Sequence, residues 1–287
     1  MTKPAAGRLT LCRWGRAEYE GDDLSDLGAT MVDDPAVADV VVVPSIRRVV
    51  ASDVPRARLV MTTTSGFDNL DVPGLRAAGI RCARLPLARR DAVVETTIGM
   101  ILSLTRRLGA FQAAAAEDRW DRARLGAYGA TRLGRVGVVG IGVIGSRICA
   151  VLDALGAEVV PCRRGDPLPV DVDVLTLHCS LHRENLGMVG VEELARMRRG
   201  AIVVNTARGR LVDADAAAAA VRSGHLGGLA LDVFPTEPAS LKSYVHPSIL
   251  VTPHAAGWHP GLGNAIAAGV ATALRALEAD EPVPWSL

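Results

Sequence analysis

Lysine is nearly absent from this 287-residue chain. Only Lys3 and Lys242 occur, so arginine carries the positive charge and any single arginine is less informative than usual. Strong charge of either sign is also missing. The formal net charge is +1, which leaves no electrostatic footprint for nucleic acid, a membrane surface or an acidic partner. Cysteines are few and unpaired. Cys12, Cys82, Cys149, Cys162 and Cys179 are odd in number and scattered, which argues for reduced thiols and against a disulfide framework or a zinc site. No apolar run approaches membrane-spanning length. The first ten residues hold no signal-peptide core, and no repeat recurs along the chain. These absences leave a soluble, cytoplasmic globule as the expectation. What is present agrees: 49% hydrophobic and 22% charged residues is an ordinary globular composition, and the length allows two modest domains or one large one.

Short β-branched runs alternate with longer helical stretches. Strands are predicted at Val40–Val43, Leu59–Met61, Val136–Val139, Glu158–Cys162, Val172–Leu177, Ile202–Val204 and Leu229–Leu231. The alternation predicts an α/β protein with parallel sheets covered by helices on both faces. One long helix is expected to open at a cap on Asp91 and to run through Val94, Ile98, Ile101, Leu104 and Leu108, which form one apolar stripe. It leads to Ala113–Ala116, Trp120 and a loop punctuated by Gly126, Gly129 and Gly134. This helix marks a boundary between two α/β units. A last amphipathic helix carrying Ile266, Val270, Leu274 and Leu277 is placed to return to the first unit. Ala216–Ala220 is locally simple but favours helix.

The stretch from Val136 to Gly145 reads as a strand ending in GxGxxG, with a helix from Ser146 onward. Gly140 permits the tight turn, Gly142 lets backbone approach a pyrophosphate, and Gly145 lets helix and strand pack closely. The helix N-terminus then offers free N–H groups to the phosphates. The next strand ends at Cys162, where a site for NAD commonly carries Asp or Glu to bond the ribose 2′-hydroxyl. Here Arg163 and Arg164 follow instead. A guanidinium bonds a 2′-phosphate that a carboxylate would repel, and such a charged bond contributes about 1.5–3 kcal/mol. NADP is therefore expected over NAD.

Three later segments place polar residues at or beyond strand ends, the edge where open α/β sheets bind ligands. They are Asn205-Thr-Ala-Arg-Gly209 with Asp213 capping the next helix, Leu231-Asp-Val-Phe-Pro-Thr-Glu237-Pro238, and Thr252-Pro-His-Ala-Ala-Gly257. Each taken singly has a plain structural reading as a loop histidine, a helix-flanking charge or a turn. In this order behind GxGxxG they resemble the D-2-hydroxyacid dehydrogenase family, which includes glyoxylate/hydroxypyruvate reductases and phosphoglycerate, formate and phosphite dehydrogenases. Ser65-Gly-Phe-Asp-Asn-Leu-Asp71 is similar to that family's substrate loop, the stretch from Leu85-Pro86 to Glu95 to its entry into the long helix, and Leu177-His178 with Leu181 to its LHxPLT segment.

The resemblance implies two Rossmann-like domains. A flavodoxin-like substrate domain would comprise residues 1–88 and 261–287, and an NAD(P)-binding Rossmann domain residues 89–260. It implies a reaction between NAD(P)H and a 2-oxo acid, or the reverse on a D-2-hydroxy acid. His254 would be the acid/base and Glu237 its partner. Arg208 would hold the substrate carboxylate and polarise the ketone. Asp232 would lie near the nicotinamide amide. Thr206, Ala207, Gly140, Ile144, Gly145, His178 and Gly257 would line the cofactor, and the Ser65–Gly66 backbone and His254 would contact substrate. No metal is implied, and the partner expected beyond small molecules is a second copy in a homodimer. The chemistry is coherent without the family. Charge builds on the carbonyl oxygen as hydride arrives, and histidine suits proton delivery near neutral pH. A neighbouring carboxylate favours an imidazolium, and arginine grips a carboxylate through two parallel bonds.

Some positions depart from the family pattern. Ser180 and His182 replace the proline and threonine of LHxPLT. Ser65 stands where phosphite dehydrogenases carry lysine, which speaks against phosphite. The chain is read as lacking the regulatory extension of many phosphoglycerate dehydrogenases. Arg47, Arg48, Arg89 and Arg90 lie near segments expected to face substrate, as readers of a second anionic group or as surface charge. A dinucleotide-sensing binding protein or corepressor is the competing function, because fold does not fix function. The set of Arg208, Glu237 and His254 favours catalysis.

Overall fold

A computed structural model describes residues 8–15, 24–44, 47–120 and 133–287. Gly126 and Gly129 of the predicted loop, and residues 1–7, lie outside the described residues. The chain divides into two compact units, Met1–Arg90 with Trp258–Leu287, and Asp91–Gly257.

The first unit is built on β1 (Thr10–Arg13), β2 (Thr30–Met31), β3 (Val40–Val43), β4 (Leu59–Thr62) and β5 (Arg81–Arg84). All pair in parallel, in the order β2-β1-β3-β4-β5, which is the flavodoxin-like order. β3 shows why its sequence is an unbroken apolar run. Val40 and Val42 enter one core with Leu11, Leu59 and Met61, while Val41 and Val43 enter the opposite core with Cys12, Val60 and Leu75. A sheet covered on both faces selects no alternation. Asp71 caps the short helix α1 (Val72–Ala77) by accepting a bond from Gly74 N at 3.2 Å. The C-terminal helix α7 (Leu262–Glu278) covers the other face. Its Ile266, Val270, Leu274 and Leu277 are buried against Leu11, Leu59 and Leu85. Burying four such side chains contributes roughly 6–12 kcal/mol at about 1.5–3 kcal/mol each, so the last helix is an integral part of the first unit.

The second unit begins with α2 (Arg90–Thr105) and α3 (Leu108–Ala116). The predicted single helix is thus two. Asp91 lies inside the first turn of α2 rather than capping it. Arg107 takes a left-handed φ of 56°, and this break carries the stripe off its line. Val94, Ile101 and Leu104 are buried, but Leu108 is 53% exposed. The sheet follows with β6 (Arg135–Val139), β7 (Glu158–Cys162), β8 (Val174–Leu177), β9 (Ile202–Asn205), β10 (Gly228–Leu231) and β11 (Ile249–Val251), all parallel in the order β11-β10-β9-β8-β6-β7. Helices α4 (Val143–Ala154), α5 (Val191–Arg196) and α6 (Ala214–Arg222) connect the strands. Leu175, Leu177, Val203, Leu229 and Leu231 fill one core, and Val136, Val138, Val174, Val204 and Ala230 fill the other. Asp213 caps α6 through Ala216 N at 3.0 Å. Val172 is buried but precedes β8, which begins at Val174.

Two parallel α/β sheets were expected and are present. Three strands were not anticipated. β2 and β5 are edge strands, and β1 hides two apolar residues between Thr10 and Arg13. β11 is the strand whose end the sequence places just before Thr252. Among the described residues, no helix is long and apolar enough to cross a membrane, and no group of three His, Cys, Asp or Glu side chains could hold a metal ion.

Candidate active site

The carboxyl ends of the second sheet bring the predicted residues into one row. In sheet order, β11 leads to His254, β10 to Asp232 and Glu237, β9 to Thr206–Arg208, β8 to His178, β6 to the glycine turn and β7 to Arg163 and Arg164. Sequence positions up to 114 residues apart thus fall along five interstrand gaps of about 4.8 Å each.

At the start of that row, His254 Nδ1 lies 2.6 Å from Glu237 Oε2. The other carboxylate oxygen accepts from Phe234 N at 2.9 Å, so backbone fixes the carboxylate and the carboxylate fixes the ring. Glu237 occupies Nδ1, which leaves Nε2 as the second ring nitrogen. His254 itself sits at a left-handed φ of 55°. Asp232 stabilises that turn. It is 1% exposed, and its Oδ1 accepts from Thr252 Oγ1 at 2.6 Å, Ala255 N at 2.8 Å and Ala256 N at 3.0 Å, while its carbonyl accepts from His254 N at 2.7 Å. Thr96 Oγ1 secures Ala256 O at 3.2 Å, next to the buried Gly257.

Arg208 follows β9 and is half-buried, with Nη1 donating to Ala207 O at 2.8 Å. Two residues that sequence reasoning did not single out shape its turn. Fully buried Asn205 accepts from Ala207 N at 3.0 Å and donates to Arg208 O at 2.9 Å. Thr97, on α2, meets Thr206 Oγ1 at 2.9 Å, so the Thr206 hydroxyl faces the interior. Gly209 is required because a Cβ there would overlap the Phe234 backbone. That close approach joins the Arg208 turn to the loop carrying Glu237.

At the other end of the row, Gly140 has φ +93° and its N donates to Cys162 O at 2.9 Å. A Cβ on Gly140 would lie 2.5 Å from Cys179 N, and one on Gly145 would overlap the Gly140 carbonyl. A Cβ on Gly142 would meet no atom within 4 Å. The first turn of α4 has no side-chain cap, so its N–H groups and the open side of Gly142 form the kind of cradle a pyrophosphate fits. Ile144 packs partly against the core beneath. His178 Nε2 pairs with Thr176 Oγ1 at 2.8 Å, and desolvation pushes the imidazole pKa down to about 3, so the ring is neutral. Arg163 and Arg164 are exposed. Asp166 binds the Arg163 backbone N at 2.7 Å, and Glu184 lies 3.8 Å from Arg164 Nη2.

Within the first unit, the Ser65–Gly66 loop follows β4. Its carbonyls point into the protein: Leu85 N donates to Thr64 O at 3.3 Å, Arg84 Nη1 to Ser65 O at 2.9 Å, and Thr64 Oγ1 to Gly66 O at 2.8 Å. Among the described residues, the Ser65, Gly66 and Phe67 N–H groups donate no hydrogen bond. Successive outward N–H groups make an anion-binding concavity. Of the four arginines read either as anion readers or as surface charge, Arg47 stacks over the Trp14 ring at 4.6 Å and Arg89 Nε lies 3.5 Å from Thr63 O. Arg48 is exposed and Arg90 opens α2.

Comparison with known proteins agrees with this fold. Residues 98–256 match the family model described as D-isomer specific 2-hydroxyacid dehydrogenase, NAD binding domain. The chain is 31% identical to D-3-phosphoglycerate dehydrogenase of Mycobacterium leprae over 99% of its own length, and spans 56% of that relative. It is 32% identical to glyoxylate reductase of Aeropyrum pernix, covering 71% of this chain and 68% of the other. A crystal structure of a D-isomer specific 2-hydroxyacid dehydrogenase from Xanthobacter autotrophicus Py2, in complex with NADPH and MES, superposes with a TM-score of 0.80 at 25% identity, over 98% of each chain. The chain belongs to the D-isomer specific 2-hydroxyacid dehydrogenases, a family of oxidoreductases built on a nicotinamide-dinucleotide-binding domain.

Proposed function

We propose that this protein is an NADPH-preferring reductase of small 2-oxo acids, with His254 as acid/base, Glu237 as its partner and Arg208 as the carboxylate-binding and ketone-polarising residue. The observation that carries the reading is the 2.6 Å contact between His254 and Glu237, one strand away from the Arg208 turn. A protein that only senses the dinucleotide needs none of these three.

The glycine turn of Gly140, Gly142 and Gly145 with Ile144 would hold the pyrophosphate end of the dinucleotide, and Thr206, Ala207, His178, Asp232 and Gly257 the nicotinamide end. When bound, the nicotinamide supplies the hydride. His254 Nε2 gives a proton to the ketone oxygen, and Glu237 holds the ring through Nδ1. Arg208 stays charged throughout and grips the carboxylate through paired N–H bonds. Arg163 and Arg164 support NADP, since each offers a guanidinium at the end of β7 where a carboxylate would repel the 2′-phosphate. The first unit, read as residues 1–88 and 261–287, is the substrate domain through Ser65 and Gly66, and residues 89–260 form the cofactor domain. A cytoplasmic homodimer completes the proposal.

An initial-rate panel tests it. NADPH and NADH are each paired with glyoxylate, hydroxypyruvate, pyruvate, phenylpyruvate and phosphorylated 2-oxo acids, on protein whose mass by light scattering is expected to be twice that of the chain. Higher kcat/KM with NADPH, lowered about ten- to a hundredfold by Arg163→Ala, is the expected result. Equal efficiency with both dinucleotides would remove the NADP preference. Tight dinucleotide binding with no turnover of any 2-oxo acid would replace the reductase with a sensor.

A further inference from the structure

We propose that Arg84 is a positioning residue that sets carboxylate affinity in the first unit by holding and polarising the Ser65–Gly66 peptide. The identity of the anion rests on the 2-oxo acid reading above; the role of Arg84 rests on geometry.

Arg84 ends β5, the strand beside β4, and reaches across to the loop that follows β4. Its Nη1 donates to Ser65 O at 2.9 Å. That oxygen and the Gly66 N–H belong to one planar trans peptide, so they point in opposite directions. Anchoring the oxygen on Arg84 therefore aims the Gly66 N–H away from the guanidinium. The peptides on either side are turned the same way, by Leu85 N on Thr64 O and by Thr64 Oγ1 on Gly66 O. Three consecutive N–H groups are thereby left to a ligand.

Arg84 differs from the other two anchors in being a cation. A positive charge on the carbonyl oxygen draws electron density through the peptide and strengthens the N–H at its other end as a donor. The guanidinium also lacks the partner its burial calls for. Among the described residues, no carboxylate lies within ion-pair distance of it; its neighbours are the Ser65 carbonyl and the face of Phe67, 5.6 Å from the ring centroid. Burial accordingly lowers its pKa from the ordinary guanidinium value, with no acidic group acting in the other direction. A half-buried charge with only neutral partners is costly, and a bound anion offsets that cost. The ligand class is a small carboxylate that can lie against outward amides one peptide away from the charge.

The test compares wild type with Arg84→Gln and Arg84→Lys. With saturating NADPH, the KM for pyruvate is measured beside that for its neutral methyl ester. Oxamate, a carboxylate that is not turned over, is titrated by thermal shift. Arg84→Gln is expected to raise the pyruvate KM on the order of tenfold, the loss expected of a charge-assisted contact. The ester KM and kcat should stay near wild type, and the thermal shift by oxamate should shrink. Arg84→Lys should recover part of both effects, because it keeps the charge without the planar fork. Equal rises for acid and ester, or an unchanged pyruvate KM, would overturn the proposal. If wild type reduces no 2-oxo acid, the reaction assignment fails, while the oxamate comparison still decides the role of Arg84. If Arg84→Gln gives no cooperative melt, Arg84→Lys is read by itself: a raised pyruvate KM with an unchanged ester KM supports the proposal, and equal rises for both, or no rise, overturn it.

Discussion

A histidine that exchanges protons with a ligand must present one ring nitrogen and anchor the other, and Glu237 is placed to anchor His254 through Nδ1. The glutamate is anchored in turn by Phe234 N, and the backbone of the histidine by Asp232. Glu237→Gln preserves size and one acceptor but removes the carboxylate charge that meets the His254 ring. The expected outcome is a fall in kcat/KM for reduction on the order of a hundredfold, with the NADPH dissociation constant unchanged by fluorescence titration. An undiminished rate would remove Glu237 from the mechanism. His254, Glu237 and Arg208 could be read from the chain because each closes a recognisable strand-end segment. Asn205, Thr97 and Arg84 could not be singled out. Thr97 meets a partner 109 residues away, and Arg84 is one arginine in an arginine-rich chain until its bond to Ser65 is seen.

Among the elements, the turn from β6 into α4 separates packing from ligand binding most cleanly. Gly145 touches the Gly140 carbonyl, whereas the space beside Gly142 is open. Gly145→Ala must move helix from strand, at a cost of about 1–3 kcal/mol, and should lower the melting temperature as well as dinucleotide affinity. Gly142→Ala should leave stability within roughly 0.5 kcal/mol, as a substitution away from packed features does, yet weaken NADPH binding. Urea unfolding and NADPH titration of both variants check this, and parallel losses in the two would refute the distinction. Central strands such as β3 and β9 were legible because their residues are apolar on both faces. The edge strands β2 and β5 were not, because an edge needs only a few apolar residues and tolerates Arg81 or Thr30. The break at Arg107 was equally invisible, since helical periodicity continues across it.

For the molecule as a whole, the neutral His178 carries a consequence for acid stability. Its folded pKa, about 3, lies below its ordinary value of 6.5. Above pH 6.5 neither the folded nor the unfolded chain protonates it, and the group is silent. Between 6.5 and 3 the unfolded chain takes up a proton that the folded chain refuses, so stability falls as pH falls. His178→Asn should therefore lose less stability than wild type between pH 7 and pH 5, measured as the change in urea midpoint. Equal losses in the two proteins would show that His178 does not contribute to the acid limb.

The amino-acid sequence by itself determined the fold class, the glycine turn and the order of strand-end motifs. These depend on local patterns: apolar runs long enough for buried strands, glycines where no Cβ fits, and polar residues immediately past strand ends. The tertiary structure decided which of those ends are neighbours. The order β11-β10-β9-β8-β6-β7 sets His254 beside the Glu237 loop and the Arg208 turn beyond it, and long-range bonds orient their side chains. It also decided that the carbonyls of the Ser65 loop turn inward and its amides outward, because two of the three anchors come from β5 and its following residue, some twenty positions along the chain.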